Sequence, residues 1–146
     1  MDYSELATEV RLKRGKMMKS SFWQKKATTF LHGEMVILNF LVNLQADSLP
    51  SELAAAMNTS TARVAMALKS LESKGLIRRR IDKEDRRKVI VSITEEGSKI
   101  VLSERQEMRD RMVSILNELG DKDAKEYIRI VERITEISIR IFDEKE

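Results

Sequence analysis

Seven consecutive residues, Asp82-Lys83-Glu84-Asp85-Arg86-Arg87-Lys88, all carry charge. A loop of this kind cannot pack inward, because burying unpaired charges is prohibitive, so it projects into solvent or against a partner. It lies within a wider concentration of positive charge. Residues 60–93 hold ten Lys/Arg against four Asp/Glu, six net positive charges in a chain whose overall charge is +3, whereas residues 94–146 hold ten against fourteen. Clustered cations of this density suit a polyanion, and a nucleic-acid backbone binds them by releasing its condensed counterions. A solvated helix face with no partner is the competing reading of the cluster by itself. What decides between them is the frame that positions the charges.

Other chemistries find little to work with. With one His and no Cys in 146 residues, disulfides, thiolate metal sites, Cys nucleophiles and thiol redox sensing are excluded. No HExxH and no Gly-rich phosphate loop occurs, so nothing assembles an enzyme, and no cofactor is expected. No stretch approaches 18 consecutive apolar residues and the N-terminus lacks a signal-like apolar run, which leads to the expectation of a cytoplasmic protein with no membrane partner. The 42% hydrophobic content, 35% charge, 5 Gly and 1 Pro point to amphipathic helices with short connections.

The helical pattern begins at Tyr3 and runs to about Lys19, with Leu6, Val10, Leu12 and Met17 as its apolar positions. Ser20 to Leu31 has no clean period. After Gly33 comes an apolar helix, Glu34 to about Gln45, with so little polar face that it is expected at the centre of the core. Pro50 suits the first turn of a short helix, Ser51 to Met57, because its missing N–H would be unpaired there. Leu49 is a poor cap for that helix, and Ser48 could cap it one residue early. Asn58-Thr59 forms the turn, and Ser60 is a good N-cap for the next helix, which extends to Lys74.

Rotating that helix by 100° per residue separates two faces. Val64, Ala67, Leu68 and Leu71 form an anchoring side, while Ala62, Arg63, Met66, Lys69, Ser70 and Ser73 form a short-chained or basic side. A helix entering a major groove needs such a surface: small residues permit close approach, Arg and Lys bond guanine or phosphate, and Ala and Met touch thymine methyls. Plain core packing with an ordinary exposed face would read the same way. Gly75 ends the helix. Leu76, Ile77 and Ile81 around Arg78-Arg79-Arg80, and the β-branched run Val89 to Ile93, are the strands of a hairpin joined by the charged loop. Thr94 caps the following helix, which continues to about Leu119. Gly120 then breaks the pattern, Asp121 is placed to cap a further helix, and its apolar stripe from Tyr127 to Phe142 is too wide for one intramolecular neighbour.

This order resembles the MarR family of bacterial transcription regulators. The resemblance rests on Leu71-Glu72-x-Lys74-Gly75-Leu76-Ile77-x-Arg79, on the Asp82-x-x-Asp85-Arg86-Arg87 loop and on Ser92-Ile93-Thr94-Glu95-Glu96-Gly97, and it covers Gly33 to Gly97 by motif and the remainder by helix layout. It implies a mainly α fold with a small β-hairpin wing, a winged helix-turn-helix with flanking N- and C-terminal dimerisation helices. The divisions are 1–32 for the first of those helices and its connection, 33–97 for the DNA-binding lobe, and 98–146 for the long helix and C-terminal dimerisation helix. By resemblance, Ser60, Thr61, Ala62, Arg63, Ala65, Met66 and Lys69 meet the major groove and nearby phosphates. Arg87 is the wing-tip arginine of the minor groove, oriented by Asp85, with Lys88 beside it. Arg86 either contacts phosphate or is tied up by Asp82 or Asp85. The family usually carries Ser, Thr or Arg where this chain has Ala62, Ala65 and Met66, so hydrogen-bond readout is expected to be sparse.

The functional expectation is therefore a homodimeric regulator of double-stranded DNA, a ligand-responsive repressor on a palindromic operator with half-sites roughly 34–36 Å apart. An effector would act through its differential affinity for two dimer geometries. Its identity is not encoded. Phe22, Trp23, Phe30, His32, Met35 and Phe40 lie where the family's ligand cleft begins, but an aromatic or Met at helical spacing reads first as core, and His32 as a structural residue rather than a metal ligand. The alternative function is a winged-helix protein-interaction adaptor, which would have no use for six net positive charges around the helix and hairpin.

Overall fold

The chain is described here by a computed structural model, which covers residues 2–29 and 33–143. Its elements are α1 (Tyr3–Met18), α2 (Ser21–Thr29), α3 (Glu34–Leu44), α4 (Pro50–Ala56), α5 (Thr61–Ser73), β1 (Ile77–Ile81), β2 (Val89–Ile93) and α6 (Glu95–Asp143). They form two compact units, one reaching Val101 and one beginning at Leu102. The mainly α architecture with one hairpin is the expected fold class.

The core of the first unit is a single apolar cluster. Ile37, Leu38 and Leu41 of α3, Leu53 and Ala54 of α4, and Val64, Ala67, Leu68 and Leu71 of α5 meet Leu76, Ile77, Val91 and Val101 there. Each large side chain so buried contributes about 1.5–3 kcal/mol relative to exposure. The α5 members are the four residues that the 100° rotation places together. Although α3 is apolar nearly all round, only one side of it is fully buried, with Val36 and Leu44 left exposed. Met35 and Phe40 pack against the cluster as partly buried side chains, as their core reading requires.

Three local expectations are corrected. Ser20 to Leu31, without a clear period, contains the helix α2, along which Phe22 and Trp23 meet edge to face at 5.3 Å and the Lys26 ammonium lies 5.6 Å from the Phe22 ring centre. Ser48 does not cap α4. Its backbone is taken by an antiparallel bridge, donating to Val91 O at 2.9 Å and accepting from Val91 N at 2.8 Å, so it borders the hairpin as an additional strand position. The N-cap is Leu49, whose amide donates to Glu52 Oε1 at 3.1 Å, so a carboxylate from inside the helix satisfies the backbone where no capping side chain is present. At Gly120 the backbone does leave the helical region (φ +77°), but the Asp121 side chain makes no capping hydrogen bond. The readings of Phe30 and His32 lie outside the described residues.

Thr94 caps α6 by accepting from Gly97 N at 3.1 Å, while its hydroxyl donates to Gly75 O at 2.7 Å. One side chain therefore ties the exit of the hairpin to the end of α5. The tie brings α6 so close that a Cβ on Gly97 would collide with the Leu76 carbonyl oxygen and the Ile93 side chain. Glu34 lies in the first turn of α3, where negative charge is favoured. It is fully buried, its Oε2 is 2.7 Å from Lys74 Nζ, and its Oε1 has no hydrogen-bond partner. Nothing local in the sequence signals this pairing across 40 residues.

In the second unit the helix from Leu102 presents Val113, Ile115, Leu119, Ile128, Ile134 and Ile141 at its surface. The helix α1 likewise exposes Leu6, Val10 and Leu12 and has no buried residue. No described helix is both long and apolar enough to cross a membrane.

Two substitutions test this framework. Gly97→Ala is expected to destabilise the protein by about 1–3 kcal/mol through overpacking, read as a lower urea midpoint. Lys74→Met removes the countercharge of a buried carboxylate and is expected to lower stability by about 2 kcal/mol, short of the full penalty for a buried pair because Lys74 is 38% exposed. Adding Glu34→Leu should restore most of that loss; no recovery in the double variant would show that Lys74 contributes by packing instead.

Candidate nucleic-acid interface

The serine at the start of α5 holds the helix in register. Ser60 Oγ accepts from Arg63 N at 3.3 Å, and at the far end Gly75 takes the left-handed conformation (φ +73°) that turns the chain into β1. Opposite the buried residues the helix exposes Thr61, Ala62, Arg63, Ala65, Met66 and Lys69. Every residue singled out on this helix, with Ser60, therefore lies on the accessible side.

β1 and β2 pair antiparallel, Ile77 opposite Ile93 and Ile81 opposite Val89. Side chains alternate across the two faces of such a ribbon, so the three successive arginines of β1 do not act alike. Arg79 turns towards α5, where its Nη2 lies 2.8 Å from Glu72 Oε1 and its amide donates to Glu72 Oε2 at 3.2 Å. The contact holds the Glu72 carboxyl below the usual carboxylate range, the Arg79 side-chain hydrogen bond being the largest cause. Arg80 pairs with Asp47 at 2.9 Å. Arg78 has no side-chain partner among the described residues. The partners Glu72 and Asp47 lie 7 and 33 positions away on other elements, so no period within a single helix or strand brings them to the arginines.

The loop that joins the strands is closed by its own backbone, Asp82 N donating to Lys88 O at 2.9 Å and Lys88 N to Asp85 O at 2.9 Å. Asp82 Oδ1 accepts from Glu84 N at 3.0 Å, an Asx turn that commits this carboxylate to the loop. Asp85 Oδ1 accepts from both Arg87 N and Arg87 Nε at 3.1 Å. These bonds from Arg87, side chain first and backbone second, hold the Asp85 carboxyl below its ordinary range against the opposing effect of desolvation, with the Lys88 charge adding the least. Arg87 itself is 91% exposed, so the pair aims the guanidinium outward without covering it. Of the two readings of Arg86, the tie to Asp82 or Asp85 is not seen: neither carboxylate holds it, and its side chain has no partner among the described residues. Arg63, Lys69, Arg78, Lys83 and Arg86 are thus five exposed cations without side-chain partners among the described residues.

A stabilised α5, a hairpin clamped to it and a charged loop closed on itself form a winged helix, and comparison with known proteins agrees. Residues 33–89 match the model of the MarR family. Over the whole chain the same fold is seen in YusO from Bacillus subtilis, with 20% identity, a TM-score of 0.70 and coverage of 93% of this chain and 99% of that one. A variant of MepR from S. aureus gives 20% identity, a TM-score of 0.71 and coverage of 95% and 99%. A second MepR variant, solved bound to an oligodeoxyribonucleotide, gives 21%, 0.66, and coverage of 95% and 99%. No curated protein matches the sequence. The matched segment takes in α3, α4, α5 and the hairpin as far as Val89, which includes Asp85 and Arg87.

The direction of the Asp85 shift sets a pH expectation. A carboxylate whose folded value is depressed keeps its partner above its unfolded value and loses it as the pH falls through the folded one. The Asp85–Arg87 contact should therefore be constant through the neutral range and release only in acid, below the ordinary carboxylate range. Side-chain NMR of Arg87 Nε should show this, and Asp85→Asn should show the released signal already at neutral pH; an Arg87 signal unchanged in that variant would remove Asp85 as its orienting group.

Proposed function

We propose that this chain is a homodimeric transcription regulator that places α5 in the DNA major groove and the Asp82–Lys88 wing along the adjacent minor groove. The observation that carries the reading is the set of exposed, unpartnered cations on α5 and the hairpin, together with an Arg87 held outward by Asp85. Positive groups without intramolecular partners can replace the counterions of a phosphate backbone at little cost to the fold. In this reading Ser60, Thr61, Arg63, Lys69, Arg86 and Lys88 contribute backbone contacts, Arg87 enters the minor groove, and Ala62, Ala65 and Met66 face base edges. The bound MepR variant supports DNA as the partner, since it shares the fold.

Homodimerisation is supported by the apolar residues left at the surface of α1 and of the helix beyond Leu102, because extended exposed apolar surface marks an interaction site. Two copies related by a two-fold axis would require a roughly palindromic operator. Regulation would follow if a small effector bound one dimer geometry better than the other, and a protein of this kind would repress where its operator overlaps a promoter.

Duplex fragments selected from genomic DNA on the purified protein should include palindromic sites, and sedimentation should show a dimer. The affinity should fall steeply with salt, and Arg87→Ala should weaken binding about tenfold or more and lower the slope of log K against log salt by roughly one. Affinity for duplex DNA that ignores salt, with Arg87→Ala unchanged, would overturn the DNA reading and leave the winged helix as a protein-interaction module.

A further inference from the structure

The side of α5 directly opposite its buried residues is formed by Ala62, Met66, Lys69 and Ser73, which span about 60° at 100° per residue, with Ala65 about 60° from Ala62. Three of these five are apolar. Met66 is 75% exposed, although the same helix buries Val64 and Leu68 almost completely. No described residue of its own unit covers Met66, and it lies away from the Glu72–Arg79 clamp. A long thioether held in water gains nothing for the monomer. Next to two methyl side chains near the N-terminal end of the helix, where a recognition helix approaches base edges, it forms a surface with no hydrogen-bond donor or acceptor apart from the weakly accepting sulfur.

Base edges in the major groove offer one apolar group, the 5-methyl of thymine. Resting on the DNA-binding reading above, we propose that α5 selects its half-site chiefly by contact of Met66, flanked by Ala62 and Ala65, with thymine 5-methyl groups. The ligand class at this part of the site is thus a thymine-containing step, read by shape and apolar contact. Arg63 and Lys69 supply attraction to phosphate and little sequence information. A flexible, unbranched Met accommodates small differences in the position of the methyl, which a β-branched residue would not.

Replacing thymine by deoxyuridine removes that methyl and leaves every hydrogen-bonding group in place. On a duplex selected by the full-length protein, single deoxyuridine substitutions should lower affinity about fourfold at one or two thymine positions, the value for one buried methyl, and should have no effect elsewhere. Met66→Ala should bind the unmodified duplex more weakly and lose the response to deoxyuridine at those same positions. Because Met66 is exposed, this variant should keep the parent's circular dichroism and urea midpoint. Met66→Leu, which retains apolar reach, should keep part of the response.

Equal affinity at every substituted thymine would overturn the proposal while leaving DNA binding intact, as would a Met66→Ala variant with an undiminished deoxyuridine response. Failure to select any duplex, with no salt-dependent affinity, would instead remove the DNA-binding reading and this inference with it.

Discussion

Val64, Leu68 and Leu71 of α5 are buried against Ile37, Leu38 and Leu41 of α3 and Leu53 of α4, and that contact determines the orientation of everything that follows in the first unit. An α-helix is rigid about its axis, so burying one side dictates which residues face outward on the other. Once the three leucine- and valine-bearing turns are seated, Ala62, Met66 and Lys69 have no freedom to turn inward. The hairpin inherits its position from the same seat, because Leu76, Ile77 and Val91 complete the cluster. Functional surface and core are two sides of one packing decision.

Charge in this molecule is divided between holding and reaching. Arg79 and Arg80 are spent on Glu72 and Asp47, which fasten the hairpin to the end of α5 and to the segment before α4. Exposed ion pairs of this kind contribute little to global stability, often under about 1 kcal/mol, but two of them on adjacent residues of one strand restrict the angle of the wing. Thr94 adds a third fastening through Gly75, and the close approach at Gly97 leaves no room for a side chain. Against this fixed base, Arg78, Lys83 and Arg86 have no side-chain partner among the described residues. Asp85 stands between the two roles: it binds Arg87 and thereby points it at solvent, so the ordering entropy of a long side chain is lost before any partner arrives.

The region beyond Leu102 follows a different logic. Its helix has regular apolar spacing and no buried residue, while α1 is amphipathic only weakly and is also unburied. Apolar positions at helical spacing that remain in water are incomplete as an energetic solution. The 3.6-residue period is visible in the sequence; that its apolar positions stay exposed is visible only once the helix is folded.

Much of the fold is legible in residue order because its signals are local. The α5 boundaries follow from a Ser cap and a left-handed Gly. The face assignment follows from the periodicity of Val64, Ala67, Leu68 and Leu71, and the hairpin from β-branched residues flanking a run of charge. Composition excluded thiol chemistry, and the Asp85–Arg87 pairing, two residues apart, was within reach of the family pattern. What residue order left open has a common physical cause. Why Arg79 and Arg80 are paired, why Ser48 lies in a strand bridge and why Glu34 can be buried all depend on groups brought together across 7 to 43 positions, and an ion pair or bridge forms by distance in space, for which no local period exists. The sequence by itself therefore determined the elements, their faces and the concentration of positive charge. Only the tertiary structure decided which of those charges were already neutralised by the fold and which were left for a partner.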